Sequence, residues 1–101
     1  MTLRDILAEV QEKVKEAYDL RTEVQRASRR VTKLAKRAIF AIHKGSLDEA
    51  REMLSKAREE LRKLREFLLG KPDVAGLGIL NPAYQEYVEA ELFLALVSGS
   101  D

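Results

Sequence analysis

Cysteine is absent from this 101-residue chain, histidine occurs once, and no stretch of about 18 consecutive residues is apolar. Without cysteine the chain forms no disulfide and offers no thiolate to zinc, and one histidine is too few for a zinc site. The lack of a long apolar run argues against a transmembrane helix, and Asp5 and Glu9 stand where a signal peptide is positively charged. We therefore expect a cytoplasmic protein that does not enter the membrane.

The sequence also lacks a phosphate-binding loop, the glycine pattern of dinucleotide-binding folds and a nucleophile elbow. It therefore predicts no nucleotide cofactor and no acyl-transfer chemistry. Only two residues are proline, whereas 46% are hydrophobic and 35% are charged. This balance is typical of an ordered, charge-rich helical protein, and a chain of this length has room for a single core.

Heptad spacing of apolar residues over Leu3–Ile42 predicts a first helix at about 2–44. Thr2, followed three residues later by Asp5, predicts a capping box at its start. Gly45, which follows a basic last turn, predicts its end.

A second apolar series predicts a helix at about 46–69, with a capping box formed by Ser46 and Glu49 and an end at Gly70. The segment GKPDVAGLGIL at 70–80 is rich in glycine and is predicted to be a loop.

The third predicted helix is at about 81–98, with Asn81 as N-cap, Pro82 as its first residue and Gly99 after its end. The expected fold is all-α: residues 1–101 form one domain, an antiparallel bundle of about three helices.

The predicted helices differ in length, because at 1.5 Å per residue the first spans about 63 Å and the second about 36 Å. The one-residue link at Gly45 requires a hairpin, in which the second helix reaches back only to about residue 20. The third helix is apolar on all sides at 92–97. The apolar residues left uncovered on the first helix are Leu3, Leu7, Val10 and Val14. We expect the chain to form a homo-oligomer or to be the front part of a larger bundle.

Positive charge is concentrated at 24–47, which contains seven of the 18 basic residues and none of the 17 acidic ones. A basic stripe along a helix can follow a phosphate backbone, which suggests binding of RNA or single-stranded DNA. Alternatively, these charges form a solvated face or pair with acids of the second helix. Phe40 is the one nearby aromatic residue, so stacking on bases is not indicated. The candidate nucleic-acid-binding residues are Arg26, Arg29, Arg30, Lys33, Lys36 and Arg37.

Glu86 and Glu89 lie one turn apart on the third helix, where like charges repel. Three explanations are open: interaction with the helix dipole, ion pairs with bases of the first helix, or binding of a divalent cation such as Mg²⁺. His43 is interpreted as a residue that suits the C-terminal end of its helix rather than a catalytic base. Ser28 is interpreted as a small residue that lets two helices approach closely.

Two segments, SRRVTKLAKRAIFAIHKG at 28–45 and YQEYVEAELF at 84–93, resemble the two signature stretches of the translin/TRAX family. Their order and separation also match. The resemblance implies an all-helical protein that assembles into closed, hollow oligomers and binds RNA and DNA. For TRAX-like members it further implies a metal-dependent endoribonuclease activity.

On this resemblance Glu86 and Glu89 correspond to the acidic pair of the TRAX-like EYVEA motif, which implies that they are catalytic and hold Mg²⁺. Family subunits have a second half, with a further metal-binding acid, that this chain lacks. We therefore expect the N-terminal portion of a translin-type bundle, with an incomplete site and no cleavage activity on its own. Two other hypotheses stay open: a non-catalytic RNA- or single-stranded-DNA-binding module, and a purely structural piece for helical oligomerisation.

Overall fold

The computed structural model of this chain describes residues 1–69 and 77–99. These residues form three α-helices and no strand: α1 at Leu3–His43, α2 at Leu47–Leu68 and α3 at Leu77–Ser98. The predicted all-α bundle of about three helices is confirmed. None of the three helices combines the length and the apolarity needed to cross a membrane.

The start of α1 has the predicted capping box. The backbone N–H of Asp5 donates to Oγ1 of Thr2 at 3.2 Å, and the backbone N–H of Thr2 donates to Oδ2 of Asp5 at 3.0 Å. Two N–H groups that the helix leaves unpaired are thereby satisfied.

The turn from α1 to α2 is built around Gly45, whose φ of +81° favours glycine. The N–H of Ser46 donates to the carbonyl of Ala41 at 2.9 Å, and the N–H of Gly45 donates to that of Ile42 at 3.0 Å. This is a Schellman motif, as the C′ glycine predicts. The predicted capping box of Ser46 and Glu49 is wrong, because the Ser46 side chain makes no capping hydrogen bond. The backbone N–H of Ser46 donates to the carbonyl of Ala41 instead of to Glu49.

The predicted start of α3 at Asn81 is also wrong, since the helix begins at Leu77 and contains Pro82. The additional turn is stabilised by packing, because Leu80 contacts the apolar cluster formed by Val24, Ala27 and Leu64. Pro82 is the sixth residue of α3 and has no N–H to donate to the carbonyl of residue 78, so one hydrogen bond of the helix is missing there. The loop prediction therefore fails at 77–80; its remainder, including Gly70, lies outside the described residues.

The core lies along α1, on which both other helices pack. The chain reverses at Gly45, so α2 is antiparallel to α1. The start of α3 packs near Val24 and its end near Ala38 and Ile42, so α3 runs in the same direction as α1. Many of the buried residues are alanines, including Ala35, Ala38, Ala50, Ala57, Ala83 and Ala90. Such small side chains let the helices approach closely.

The first 19 residues of the chain are all exposed, so α1 extends beyond the three-helix body. We call residues 3–18 the arm. Its apolar residues have exposed fractions such as 72% for Leu3 and 64% for Val14. At the other end of the molecule Leu92 and Leu96 of α3 are 60% and 81% exposed. The prediction that three helices leave apolar surface uncovered is confirmed.

Candidate functional site

A continuous groove runs along the junction of α1 and α3, and we call it the α1–α3 groove. Its first section is mostly basic and its second section is acidic on the α3 side. Thr32, Lys36 and Pro82 line both sections, which makes the two continuous. The first section is also lined by Gln25, Ser28, Arg29, Lys33, Arg37 and Ala83, and the second by Gln85, Glu86 and Glu89.

Helical spacing brings the basic side chains of the groove together. Arg29, Lys33 and Lys36 are four and three residues apart, and residues at these spacings share one face of a helix. Ala83 of α3 is buried against this region, so α3 forms the opposite wall of the groove.

Four of the six predicted nucleic-acid-binding residues line the groove: Arg29, Lys33, Lys36 and Arg37. None of these four forms an ion pair within 4 Å with any carboxylate in the described ranges, 1–69 and 77–99. Their charges are therefore not neutralised by the fold and can receive an anion.

The other two predicted residues, Arg26 and Arg30, do not line the groove. Arg30 Nε lies 3.0 Å from Oε2 of Glu60 on α2, and Arg26 Nη1 lies 3.7 Å from Oε1 of Glu23. Arg30 therefore pairs with the acidic side of α2, which is one of the alternatives that the sequence left open.

Glu86 is half-buried and Glu89 is exposed, and both line the groove opposite Thr32 and Lys36. The side-chain amide of Gln85 donates to Oε1 of Glu89 at 3.4 Å. The helix-dipole explanation for the pair is weakened because α3 starts at Leu77, which places both acids in mid-helix. The ion-pair explanation also fails, because no basic side chain of the described residues lies within 4 Å of either carboxylate.

The second section of the groove offers a metal ion the two carboxylates of Glu86 and Glu89. No group of three or more His, Cys, Asp or Glu side chains able to hold a metal occurs in the described part of the chain. Two carboxylates do suit Mg²⁺, which keeps several waters and often takes its remaining ligands from substrate phosphates. Glu86 and Glu89 therefore fit a cation bound jointly with phosphate, not a self-sufficient metal centre.

Arg58 of α2 joins α2 to α3, an interaction that sequence reasoning missed. Its Nε donates to the hydroxyl of Tyr87 at 3.0 Å and its Nη2 donates to Oε1 of Glu91 at 3.1 Å. The Tyr87 hydroxyl, and then the Glu91 carboxylate, raise the pKa of Arg58 above its ordinary value. These bonds help to fix the rotation of α3, so that Glu86 and Glu89 face α1. Tyr87 and Glu91 lie 29 and 33 residues from Arg58 along the chain, so no periodic pattern in the sequence indicates these bonds.

Ser28 is 7% exposed, and its hydroxyl has no hydrogen-bond partner among the described residues. It lines the groove beside Pro82 and Ala83, in agreement with its interpretation as a small residue between two helices. His43 is the last residue of α1, and its ring lies 5.0 Å from that of Phe93 on α3.

Comparison of the chain with protein-family models, with curated proteins and with solved structures found no match. Among the described residues, the feature that bears on function is the α1–α3 groove.

Proposed function

We propose that this chain is a nucleic-acid-binding subunit of a translin/TRAX-like helical assembly, and that it holds RNA or single-stranded DNA along the α1–α3 groove. One observation carries the proposal: four basic side chains line a single groove with no carboxylate partner within 4 Å in the described residues. They are Arg29, Lys33, Lys36 and Arg37. The resemblance of 28–45 and 84–93 to the family supports the same proposal.

Binding in this groove is electrostatic and directed at the nucleic-acid backbone. Four cations that contact phosphates release counterions, so the logarithm of the binding constant falls with the logarithm of salt with a slope of up to about −3. No aromatic side chain is among the residues that line the groove in the described part of the chain. Bases therefore have no stacking platform there, and we expect little sequence preference.

A second candidate activity is Mg²⁺-dependent RNA cleavage, with Glu86 and Glu89 as the catalytic pair. It is favoured by the position of both acids in the groove that holds the basic residues. Bound Mg²⁺ supplies Lewis-acid polarisation of a phosphate and lowers the pKa of a bound water. Lys36 orients the phosphate beside the two carboxylates. Because Glu86 and Glu89 are the only acids among the described residues that line the groove, we expect binding by this chain alone but no cleavage.

The proposal is tested by titrating a fluorescent single-stranded RNA with the chain at about 50 mM and about 200 mM salt, where phosphate contacts differ strongly. The variant Arg29→Gln/Lys33→Gln removes two groove cations. The matched control, Arg26→Gln/Arg30→Gln, removes two cations from the same helix that pair with Glu23 and Glu60 instead.

The groove variant should lose on the order of tenfold in affinity and show a salt slope smaller by about 1.4. The control should change the affinity by less than about threefold. Equal losses in the two variants would contradict binding in the groove. No binding at the lower salt concentration would favour the structural hypothesis.

A further inference from the structure

Two apolar surfaces of the chain lie uncovered at opposite ends of the molecule. The first is the seam of the arm, formed by Leu3, Ile6, Leu7, Val10 and Val14, which are 45–72% exposed. The second, which we call the outer face of α3, is formed by Tyr84, Val88, Leu92 and Leu96, at four-residue spacing. Because α1 is one continuous helix in a molecule 66 Å long, the arm cannot fold back onto its own α3.

We propose that a second copy of this chain covers both surfaces. The arm of each copy packs on the outer face of α3 of the other copy, so that two identical arm–face contacts close a twofold dimer. This inference goes beyond the proposed function, because it names the two surfaces that meet and does not depend on nucleic-acid binding.

The two surfaces match in length. Leu3 to Val14 is eleven residues of helix, or about 17 Å, and Tyr84 to Leu96 is twelve, or about 18 Å. Each is a single stripe along one helix, which suits the packing of one helix along another.

Exchange between copies is the pairing that covers both surfaces with one kind of contact. Pairing two arms would leave Leu92 and Leu96 of α3 exposed, and pairing two outer faces would leave Leu3 and Val14 of the arm exposed.

The area is of the size that a stable dimer needs. A fully buried aliphatic side chain removes roughly 60–120 Å² of apolar surface from water. The two contacts together contain eighteen half-exposed apolar side chains, which offer roughly 500–1,000 Å². The apolar share of a standard interface of roughly 1,600 Å² is of the same size.

The arrangement uses each of the two surfaces once per copy. Since α3 runs in the same direction as α1, an inverted second copy places each three-helix body beside the arm of the other. Both contacts are then related by one twofold axis.

The experiment is sedimentation equilibrium of the full chain over a wide concentration range. The arm variant is Leu7→Glu/Val14→Glu, and the face variant is Leu92→Glu/Leu96→Glu. All four residues are at least 53% exposed in one copy, so circular dichroism should show unchanged helix content. The matched control, Ala8→Glu/Lys15→Glu, introduces acids into the arm away from its seam.

The wild type and the control should be dimeric, and each of the other variants should raise the dissociation constant by at least about 100-fold. A 1:1 mixture of the arm variant and the face variant should form a heterodimer, because one intact arm can still meet one intact face. Each variant alone has no intact contact.

Several results would overturn the proposal. One is a wild-type chain that stays monomeric at every concentration. Another is a dimer that the arm variant breaks and the face variant does not, which would indicate arm–arm pairing. The last is a mixture in which no heterodimer forms although both single variants are monomeric.

Discussion

The guanidinium of Arg58 on α2 donates a hydrogen bond of 3.0 Å to the hydroxyl of Tyr87 on α3. The two helices otherwise share little contact, because both pack mainly on α1. This bond and the one from Arg58 to Glu91 join α2 to α3, while the acidic pair Glu86 and Glu89 of α3 lines the groove with α1.

Tyr87→Phe should therefore lower the free energy of unfolding by about 0.5–1 kcal/mol, because it removes the hydroxyl and leaves the ring. Arg58 is well exposed, which keeps the effect small. Urea unfolding followed by circular dichroism measures the change. The matched control is Tyr84→Phe, which removes an exposed hydroxyl from the same helix. Equal losses in both variants would mean that the bond to Arg58 contributes nothing.

Ser28→Ala should stabilise the chain by about 1–3 kcal/mol, because the buried hydroxyl has no hydrogen-bond partner in residues 1–69 and 77–99. Alanine also has a higher helix propensity than serine by up to about 0.5 kcal/mol. Ser55→Ala, at an exposed position within α2, measures that contribution alone. The stability gain at Ser28 should exceed the gain at Ser55. A loss of stability at Ser28 would show that its hydroxyl has a partner in solution.

Glu86→Gln/Glu89→Gln should raise the affinity for RNA in the absence of Mg²⁺ by about two- to fivefold, because two negative charges leave the groove. The same variant should lose any increase in affinity that Mg²⁺ gives the wild type, since the carboxylates that would bind the ion are gone. Fluorescence anisotropy with and without Mg²⁺ measures both effects.

Glu12→Gln/Glu16→Gln makes the same change of charge on the exposed arm and serves as the control for this measurement. An identical response to Mg²⁺ in the wild type and the groove variant would remove Glu86 and Glu89 as candidate metal ligands, while leaving RNA binding by the basic residues untouched.

The capping box at the start of α1 should respond to acid. The backbone N–H and the hydroxyl of Thr2 donate to Asp5 and lower the pKa of its carboxyl below the ordinary value. A carboxyl with a lowered folded-state pKa stabilises the fold above its unfolded pKa and loses that contribution as the pH falls through the folded value. The first turn of α1 should therefore begin to fray only below the ordinary pKa of aspartate.

A pH titration of the Asp5 side chain by nuclear magnetic resonance measures this effect. Thr2→Val keeps the shape of residue 2 and removes the hydroxyl, so the pKa of Asp5 should move back toward its ordinary value. Amide exchange at Ile6 should become faster in the same variant. An unchanged pKa would show that the Thr2 side chain does not contribute to it.

The helices could be predicted wherever local pattern and packing agree. The heptad of α1, the capping box at Thr2 and the glycine at Gly45 depend on nearby residues, and all three are present in the structure. Asn81 and Ser46 are good caps by local rules, but Leu80 gains an apolar contact by extending α3, and the N–H of Ser46 is used by the preceding turn. A tertiary contact overrides the local preference at Asn81, and the hydrogen bonds of the turn at Gly45 override it at Ser46.

The sequence predicts which kinds of residue form the candidate site, but not which of the basic residues belong to it. Charge pattern alone selects Arg26 and Arg30 as readily as Arg29 and Lys33. Which of them line the groove depends on the faces of α1 that α2 and α3 cover. Those faces are set by contacts between residues far apart in the chain, such as Arg30 with Glu60, which no local period reveals.

No proline or glycine interrupts α1 between Leu3 and His43. The arm and the basic wall of the groove are therefore parts of one stiff rod. A partner that binds the arm therefore also fixes the direction of the basic groove residues on α1. The length of α1 sets the distance between those residues and the bound partner. The proposed dimer contact and the proposed nucleic-acid groove thus share a single helix, which fixes the distance between them.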